Sequence, residues 1–295
     1  MSTKAWIIYN GFLQADSFQD FAKMIQEAAE KLGHEAELYT NKEIISILDE
    51  SLTIQLNDVP DYVVFTDKDI YLARQLELLG IPVFNSSAAI TTSDDKIKTY
   101  QLLAKVGVPI PKTIFAPKTF GVQAAFDERY LQYIKQTFSF PFVIKEAFGS
   151  FGEQVYLIEN EGQLTTKLTK MGDRPFMFQQ FIETSYGKDL RLQVVGDKVV
   201  AAMKRTSAID FRANVTAGGK MEPHEPTAEE AQLAIRASQL IGADFSGVDL
   251  LFGQNGPLVC EVNSNAHIRN IYDCTGINVA YDIIHYIDNV LSDLT

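Results

Sequence analysis

Two acidic residues stand inside apolar runs where buried strands are expected, and they constrain the fold more than any other feature. The segment from Gly247 to Asn263 reads GVDLLFGQNGPLVCEVN, in which a Gly-Gln-Asn-Gly turn separates two apolar runs. Such runs around such a turn are typical of a β-hairpin. If residue 253 pairs with residue 257, then Asp249 pairs with Glu261, and both carboxylates lie on one face of the sheet.

The two carboxylates require compensation, because like charges directly opposed across a ladder repel and burying them adds to the cost. Asn263 follows Glu261 by two residues. Carboxylate and amide oxygens are ligands that Mg²⁺ prefers, so the hairpin predicts a metal site formed by Asp249, Glu261 and Asn263. The alternative is that one acid is exposed at a strand end and the other forms an ion pair. The hairpin alone leaves both interpretations open.

Composition favours a cytoplasmic protein without membrane or nucleic-acid partners. The 295 residues carry a formal net charge of −12, whereas binding to nucleic acid phosphates needs basic surface. No apolar run approaches membrane-spanning length, and no signal peptide precedes the strand-like AWIIY near the N-terminus. The two cysteines, Cys260 and Cys274, form neither a disulfide framework nor a zinc motif. A phosphate pocket is still permitted, because it can be locally basic.

The order of helix and strand signals divides the chain into three parts, at residues 1–92, 93–184 and 185–295. In the first part, a strand at 5–9, a helix ended by Gly33, a strand at 62–65 and a helix at 70–79 alternate. This alternation predicts a small parallel, doubly wound sheet. The turn after the first strand lacks the GxGxxG pattern, so a dinucleotide site is not indicated.

The middle part predicts a phosphate-binding loop. Thr92 or Ser93 is expected to cap a helix that runs to Gly107, and a later strand ends at Lys145. The segment AFGSFG that follows can bring backbone N–H groups close to an anion, with Lys145 supplying a point charge. It is not a Walker loop, because no GK[ST] opens a helix. Glycines that serve only the turn of a hairpin are the alternative.

A second strand of the middle part runs over residues 176–182 and is apolar except for Gln179 and Gln180. Glu183 and Asp189 flank its exit, so the strand can line an adenine pocket through its backbone and leave a carboxylate for the ribose, or it can be a plain buried strand. The third part opens with a hairpin that turns at Gly196-Asp197. A helix capped by Thr227 with Glu230, the acidic hairpin and a final helix at 279–291 follow.

Seven motifs in order make the chain from about residue 90 onward resemble the ATP-grasp superfamily, most of all the RimK-type glutamate ligases. The motifs are Asp95-Lys96, FVIKEAFGSFG, QQFI, DLRLQVVGDKVVAAMKR, FRAN, GVDLLF and EVN. The resemblance implies an α/β ATP-grasp fold, in which an N-terminal parallel domain precedes two lobes that hold ATP between antiparallel sheets. It also implies activation of a carboxylate as an acyl phosphate, followed by attack of an amine, with Mg²⁺ or Mn²⁺ as metal.

The resemblance also implies roles for individual residues. Catalysis is expected from Lys145, Arg212 and Asn214, and the metal ligands are again Asp249, Glu261 and Asn263. The residues expected to bind ATP are Lys96, Lys145, Gly149, Ser150, Gly152, Gln180, Phe181, Ile182, Asp189 and Arg212. The residues expected to contact the substrate are Arg205, Asn265, His267 and Arg269.

Two positions depart from the family pattern. The family usually has glutamate where Gln180 stands, which a backbone contact to adenine tolerates. The Ser-Pro-Gly loop of the family is replaced here by residues 265–269, in which Arg269 can pair with a substrate carboxylate. The alternatives are that His267 is a hydrogen-bonded loop residue and Arg269 a surface charge. We expect an amino acid or short peptide as substrate, glutamate included, and a dimer or tetramer. The rival functions are a catalytically silent ATP-binding protein and a phosphotransferase.

Overall fold

A computed structural model describes residues 3–13, 16–55, 58–119, 126–150, 152–213 and 219–294. Asn214, expected to be catalytic, and Phe151 of the glycine loop lie outside these ranges. Within the described ranges, none of the helices is both long and apolar enough to cross a membrane.

The N-terminal part contains the predicted parallel sheet, with strand order β2-β1-β5-β6. The predicted strand at 62–65 is confirmed to the residue as β5. A small antiparallel pair, β3 and β4, is an addition that the sequence did not predict. The elements in chain order are β1 (Lys4–Tyr9), α1 (Asp16–Lys31), β2 (Glu35–Thr40), β3 (Ser46–Leu48), β4 (Leu52–Ile54), β5 (Tyr62–Phe65), α2 (Ile70–Leu78), β6 (Val83–Phe84) and α3 (Ser87–Asp94).

The central part forms an antiparallel sheet with strand order β7-β10-β8-β9. The glycine loop connects β8 to β9, which pair as the hairpin that the sequence predicted. The elements are α4 (Lys96–Lys105), β7 (Thr113–Phe115), α5 (Glu128–Thr137), β8 (Phe142–Glu146), β9 (Val155–Ile158), α6 (Glu161–Met171), β10 (Phe176–Gln180) and a short 3-10 helix (Glu183–Ser185).

The C-terminal part forms a second antiparallel sheet, with strand order β13-β12-β11-β14-β15. The two-residue turn at Gly196-Asp197 and the capping box of Thr227 and Glu230 are both confirmed. The elements are β11 (Lys188–Val195), β12 (Lys198–Thr206), β13 (Lys220–Pro223), α7 (Ala228–Leu240), β14 (Phe245–Gly253), β15 (Gly256–Asn263), α8 (Arg269–Thr275) and α9 (Val279–Leu294).

The apolar cores do not follow the three predicted parts. One core joins residues of β1 and α1 to residues of β12, α8 and α9, so the N-terminal sheet and the C-terminal lobe share it. Another joins Leu103 and Val108 to the face of the C-terminal sheet under α7. The central sheet has a core of its own, formed within residues 116–178. The boundaries at 92 and 184 stay a prediction.

The predicted helix start at Thr92 or Ser93 is wrong. The chain forms two helices there, and Asp95 caps the second by accepting hydrogen bonds from the N–H groups of Ile97 and Lys98 at 3.0 and 3.2 Å. Thr92 and Ser93 lie inside the first helix, α3. Because a capping carboxylate needs extended backbone geometry, the chain bends at Asp95 and Lys96 becomes the first residue of α4.

The strand pairing in the acidic hairpin agrees with the prediction at the end away from the turn and differs from it at the turn. Asp249 pairs with Glu261 and Gly247 with Asn263, whereas Gly253 pairs with Gly256 rather than with residue 257. A β-bulge at Cys260 absorbs the difference. A bulge adds one residue to one strand, so the register before it and the register after it differ by one. The hydroxyl of Tyr100 donates to the Cys260 carbonyl at 2.7 Å and holds the bulge.

Candidate active site

A cavity between the central and C-terminal sheets collects most of the residues that the sequence singled out. Its volume is about 120 Å³, below the roughly 300 Å³ at which ligand pockets usually begin. The predicted residues that line it are Lys96, Lys145, Gly152, Gln180, Phe181, Ile182, Asp189, Arg205, Arg212, Asp249 and Glu261. The cleft is therefore formed but narrow, and a nucleotide would require it to widen.

The charge of the lining is opposite to the charge of the chain. Five basic and three acidic side chains line the cavity, whereas the whole chain carries −12. A larger cavity of about 620 Å³ lies at the outer side of residues 180–184 and has two glutamates but no basic residue in its lining. Phosphate binding needs positive charge, so the smaller cavity is the candidate site for a nucleotide.

Asp249 is held by two arginines. Its side chain accepts a bidentate ion pair from Arg191, with one contact at 2.8 Å, and Arg205 approaches its second oxygen at 3.1 Å. Arg205 also grips Asp189 with two contacts of 2.7 and 2.6 Å. Burial alone would raise the pKa of Asp249, but the two guanidinium groups hold that pKa below its ordinary value. Asp249 is therefore ionised at neutral pH although it is only 5% exposed.

Glu261 is balanced by a lysine. Its Oε1 lies 3.1 Å from the Lys96 Nζ, which brings the first residue of α4 to the acidic hairpin. Burial opposes ionisation, yet Lys96 and Lys145 keep the pKa of Glu261 below its ordinary value. The alternative interpretation expected one acid in an ion pair and the other exposed at a strand end. In the structure both acids form ion pairs, and neither is exposed at a strand end.

Lys145 reaches the cavity from the end of β8. Its ammonium group lies 3.5 Å from the Cys260 sulfur and 5.9 Å from the ring centre of Tyr100. Burial disfavours the charged form, but Cys260, Tyr100 and Glu261 raise the pKa of Lys145 above its ordinary value. This lysine is only 7% exposed, so it presents a fixed positive charge to whatever enters the cavity.

The glycine lid, defined by its described residues Gly149, Ser150 and Gly152, reaches the same cavity at Gly152. Gly149 has φ of +135°, and a Cβ there would collide with the side chain of Gln154. Lys96 donates to the Gly149 carbonyl at 2.9 Å, and Arg212 donates to the Gly152 carbonyl. Lys96 and Arg212, which the sequence predicts as ATP contacts, therefore bind carbonyl oxygens of the lid in this structure.

The predicted adenine and ribose positions lie on the other side of the cavity. Phe181 packs edge-on against Phe211 at a ring distance of 6.1 Å, and Val143 and Leu251 complete an apolar wall. The N–H of Gln180 donates to the Lys112 carbonyl at 2.9 Å, and Asp189 faces Arg205. The wall is flat and apolar with polar groups at its edge, which suits an aromatic base.

The loop that follows the acidic hairpin turns away from the cavity, toward α1. Arg269 forms a bidentate ion pair with Asp20, with contacts of 2.8 and 2.7 Å. His267 packs edge-on against Phe18, with ring centres 5.0 Å apart. The amide oxygen of Asn265 is buried without a hydrogen-bond partner in the described part of the chain. His267 and Arg269 thus lie at the contact with the N-terminal domain, and of the four predicted substrate residues only Arg205 lines the cavity.

The donor set of the predicted metal ligands fits Mg²⁺. Asp249 and Glu261 lie side by side, both ionised, and Asn263 pairs with Gly247 at the end of the same ladder. Carboxylate and amide oxygens are the hard ligands this ion takes. No cluster of three His, Cys, Asp or Glu side chains occurs within the described residues, so the set depends on the asparagine.

Sequence reasoning missed Arg191, Lys68 and Asp20. Arg191 carried a usable signal, because it is a charge inside an apolar strand, as Asp249 is, and the two pair directly across β11 and β14. Lys68 reaches the lid from the N-terminal domain, and its Nζ lies 3.1 Å from the Ser150 hydroxyl. Asp20 lies 249 positions from Arg269, and no local pattern marks it.

Comparison with known proteins also indicates an ATP-grasp domain. Residues 93–287 match the family described as RimK-like ATP-grasp domain. The chain is 33% identical over 283 residues to "Uncharacterized protein MG012 homolog" of Mycoplasma pneumoniae, covering 94% of this chain and 96% of that protein. It is 34% identical to "Probable alpha-L-glutamate ligase 2" of Shewanella amazonensis, covering 92% of each.

A solved structure supports the fold across nearly the whole chain. The ATP-grasp ligase PsnB, complexed with a phosphomimetic variant of its minimal precursor, Mg and ADP, superposes with a TM-score of 0.71 at 18% identity. The match covers 98% of this chain and 99% of that one. The predicted α/β ATP-grasp fold is confirmed, and the chain belongs to the RimK-like ATP-grasp family of ligases.

Proposed function

We propose that this protein is an ATP-dependent carboxylate–amine ligase that forms an amide bond through an acyl phosphate and releases ADP and phosphate. The observation that carries the proposal is the pair of ionised carboxylates, Asp249 and Glu261, set opposite Lys145 in a cavity lined by basic residues. A bound Mg²⁺ or Mn²⁺ would neutralise phosphate charge at Asp249, Glu261 and Asn263.

The basic residues of the cavity fit the charge problem of the first step. When a substrate carboxylate attacks the γ-phosphate, two anions approach each other. Lys145 is already fixed in the cavity, and Arg212 can exchange the Gly152 carbonyl for a phosphate oxygen, which is a stronger acceptor. These cations offset the charge that develops as the phosphoryl group is transferred.

The second step needs an amine and the exclusion of water. The amine attacks the acyl carbon, phosphate leaves, and the amine gives up a proton. The loop that carries Asn265, His267 and Arg269 begins directly after Asn263, so we assign the amine to that side. We infer an amino acid or short peptide as substrate, glutamate included, because Arg269 can bind a free carboxylate.

The test is a substrate screen. The protein is incubated with ATP, Mg²⁺ and pairs of amino acids or dipeptides, ADP is measured by a coupled assay, and products are identified by mass spectrometry. We expect ADP and a condensed product in equal amounts for at least one pair. The Asp249→Asn variant serves as the control for contaminating activity. ADP with a stable phosphoester would indicate a phosphotransferase, and ATP binding without any turnover would indicate a silent protein.

A further inference from the structure

The glycine lid is held by basic side chains from three separate parts of the chain. Lys96 and Arg212 donate to lid carbonyl oxygens, as described above. Lys68 differs from both, because it comes from the N-terminal domain and contacts a lid side chain, the hydroxyl of Ser150 at 3.1 Å. Lys68 is also absent from the lining of the nucleotide cavity.

Lys68 is placed by a well-anchored turn. Thr66 binds the Ile8 carbonyl through its N–H and its hydroxyl, at 2.9 and 3.0 Å. Asp69 accepts a hydrogen bond from the N–H of Leu72 and so caps α2. With the chain anchored at Thr66 and Asp69, the side chain of Lys68 extends toward the corner between α3 and α4, where Asp94 lies 2.6 Å from its Nζ.

ATP would change the three contacts unequally. Phosphate oxygens carry charge and accept stronger hydrogen bonds than neutral carbonyl oxygens, so they would draw Lys96 and Arg212 away from the lid. Lys68 is already neutralised by Asp94, and it donates to the Ser150 oxygen, which leaves the Ser150 O–H to donate to a phosphate. Of the three, the contact between Lys68 and Ser150 is the one that can persist after a nucleotide binds.

We propose that Lys68 is a positioning residue that ties the glycine lid to the N-terminal domain while the acyl phosphate exists. The proposal rests on the proposed ligase function and deepens it. Water that reaches the acyl phosphate would attack its carbonyl carbon, release phosphate and return the original carboxylate, so ATP would be consumed without an amide. A lid held from the N-terminal domain keeps water out until the amine has reacted.

The experiment measures ADP formed per amide formed. We expect a ratio near one for the wild type and a rise of about fivefold or more for Lys68→Met, with the KM for ATP changed by less than about twofold. Lys68→Arg, which retains charge and reach, should stay near the wild-type ratio. Lys42→Met is the matched control, because the exposed Lys42 lies after β2 in the same domain and binds only the Gly11 carbonyl among the described contacts, at 3.2 Å.

Further variants separate positioning from structural support. Ser150→Ala removes the same contact from the lid side, so the double variant with Lys68→Met should be no worse than either single one. Asp94→Asn breaks the ion pair but leaves the contact with Ser150. It should therefore lower the melting temperature and leave the ratio of ADP to amide near the wild-type value. An unchanged ratio in Lys68→Met, or an additive double variant, would overturn the proposal.

A readout that does not need amide formation distinguishes this proposal from the ligase function. Hydrogen exchange of residues 147–154 is measured with and without a non-hydrolysable ATP analogue and Mg²⁺. We expect the analogue to slow exchange of the lid in the wild type and to do so at least about threefold less in Lys68→Met. Equal protection overturns the proposal even if the ligase assay succeeds, and failure of the wild type to bind the analogue overturns both proposals.

Discussion

The pKa of a buried aspartate differs between two regions of the molecule. One region is the cleft between the two antiparallel sheets, and the other is the contact between the N-terminal domain and the C-terminal lobe. In the cleft, Asp249 lies between two arginines that keep its pKa low. At the domain contact, Asp244 lies five residues earlier and has a tyrosine hydroxyl, Tyr286, at 3.2 Å. Burial raises the pKa of Asp244 to about 6. Two buried aspartates five residues apart therefore have opposite pKa shifts.

The difference follows from the neighbouring groups, because Asp249 has two guanidinium groups beside it and Asp244 has a neutral hydroxyl. Desolvated ion pairs seldom add stability over apolar packing, so a network of four such residues calls for a functional reason. Asp189, Arg191, Arg205 and Asp249 form such a network in the cleft. The domain contact has the half-exposed pair of Asp20 and Arg269 instead, with side chains 31% and 42% exposed. Pairs of that kind contribute about 0–1 kcal/mol.

The largest effect is expected in the cleft. Asp249→Asn should lower turnover on the order of a thousandfold, because it removes a metal oxygen and leaves the guanidinium group of Arg191 without its counter-charge. Breaking a buried pair also destabilises by about 3–5 kcal/mol, so thermal unfolding should shift as well. Glu261→Gln should match it in turnover. Steady-state ADP release checks this, and activity within about tenfold of wild type would refute the metal assignment.

A smaller effect is expected for the fixed lysine of the cavity. Lys145→Ala should weaken ATP binding by about a hundredfold, since a charged hydrogen bond contributes about 1.5–3 kcal/mol. Lys98→Ala is the control, because Lys98 is 54% exposed and lies 3.9 Å from Asp95, away from the lid. Calorimetric titration with ATP gives both affinities. Equal losses in the two variants would mean that general surface charge, rather than the cavity, attracts the nucleotide.

The domain contact is tested by a pair of variants with opposite expected signs. Arg269→Ala should raise the KM for the amine about tenfold, which corresponds to about 1.4 kcal/mol, and leave the KM for ATP unchanged. Asp20→Asn should lower the KM for the amine about threefold, because it releases the guanidinium that a substrate carboxylate would bind. If both variants raise this KM equally, the pair supports the loop and does not bind substrate.

The smallest effect on turnover is expected at Asp244, where the change concerns stability alone. Because the folded pKa of Asp244 is raised from 3.8 to about 6, its contribution to stability is present below pH 3.8 and is lost as the pH rises through 6. Asp244→Asn should therefore be more stable than the wild type at pH 7.5, by about 1–3 kcal/mol, and nearly equal to it at pH 4. Denaturant unfolding at both pH values checks this. A difference that does not vary with pH would contradict the assignment.

Local rules predicted the cleft better than the domain contact. The pairing of Asp249 with Glu261 followed from a turn and two apolar runs, and the structure agrees. The bulge at Cys260 could not be predicted, because the carbonyl that it presents is held by Tyr100, 160 positions away. The helix start failed for a local reason, since Ser93 and Asp95 are both good caps. Ser93 is instead buried, and its hydroxyl donates to the Val262 carbonyl at 2.9 Å.

Long-range partners explain the remaining misses. Arg269 was predicted as a substrate contact from its position after the hairpin, and nothing near it in the chain indicates Asp20. The same holds for Asn85, which is fully buried and donates to the carbonyl groups of Phe245 and Ser264 at 2.9 Å each. Such contacts form only when the N-terminal sheet is placed against the C-terminal lobe, and that placement is a property of the shared core rather than of any motif.

The shared core determines which body can move when the cleft opens. The N-terminal sheet and the C-terminal lobe cannot rotate apart without exposing the 22 buried residues of that core. The central sheet has a separate core, and the chain enters it near Pro109 and leaves it near Ile182. If a nucleotide widens the cleft, we therefore expect the central sheet to turn about those two crossings while the other two parts stay together.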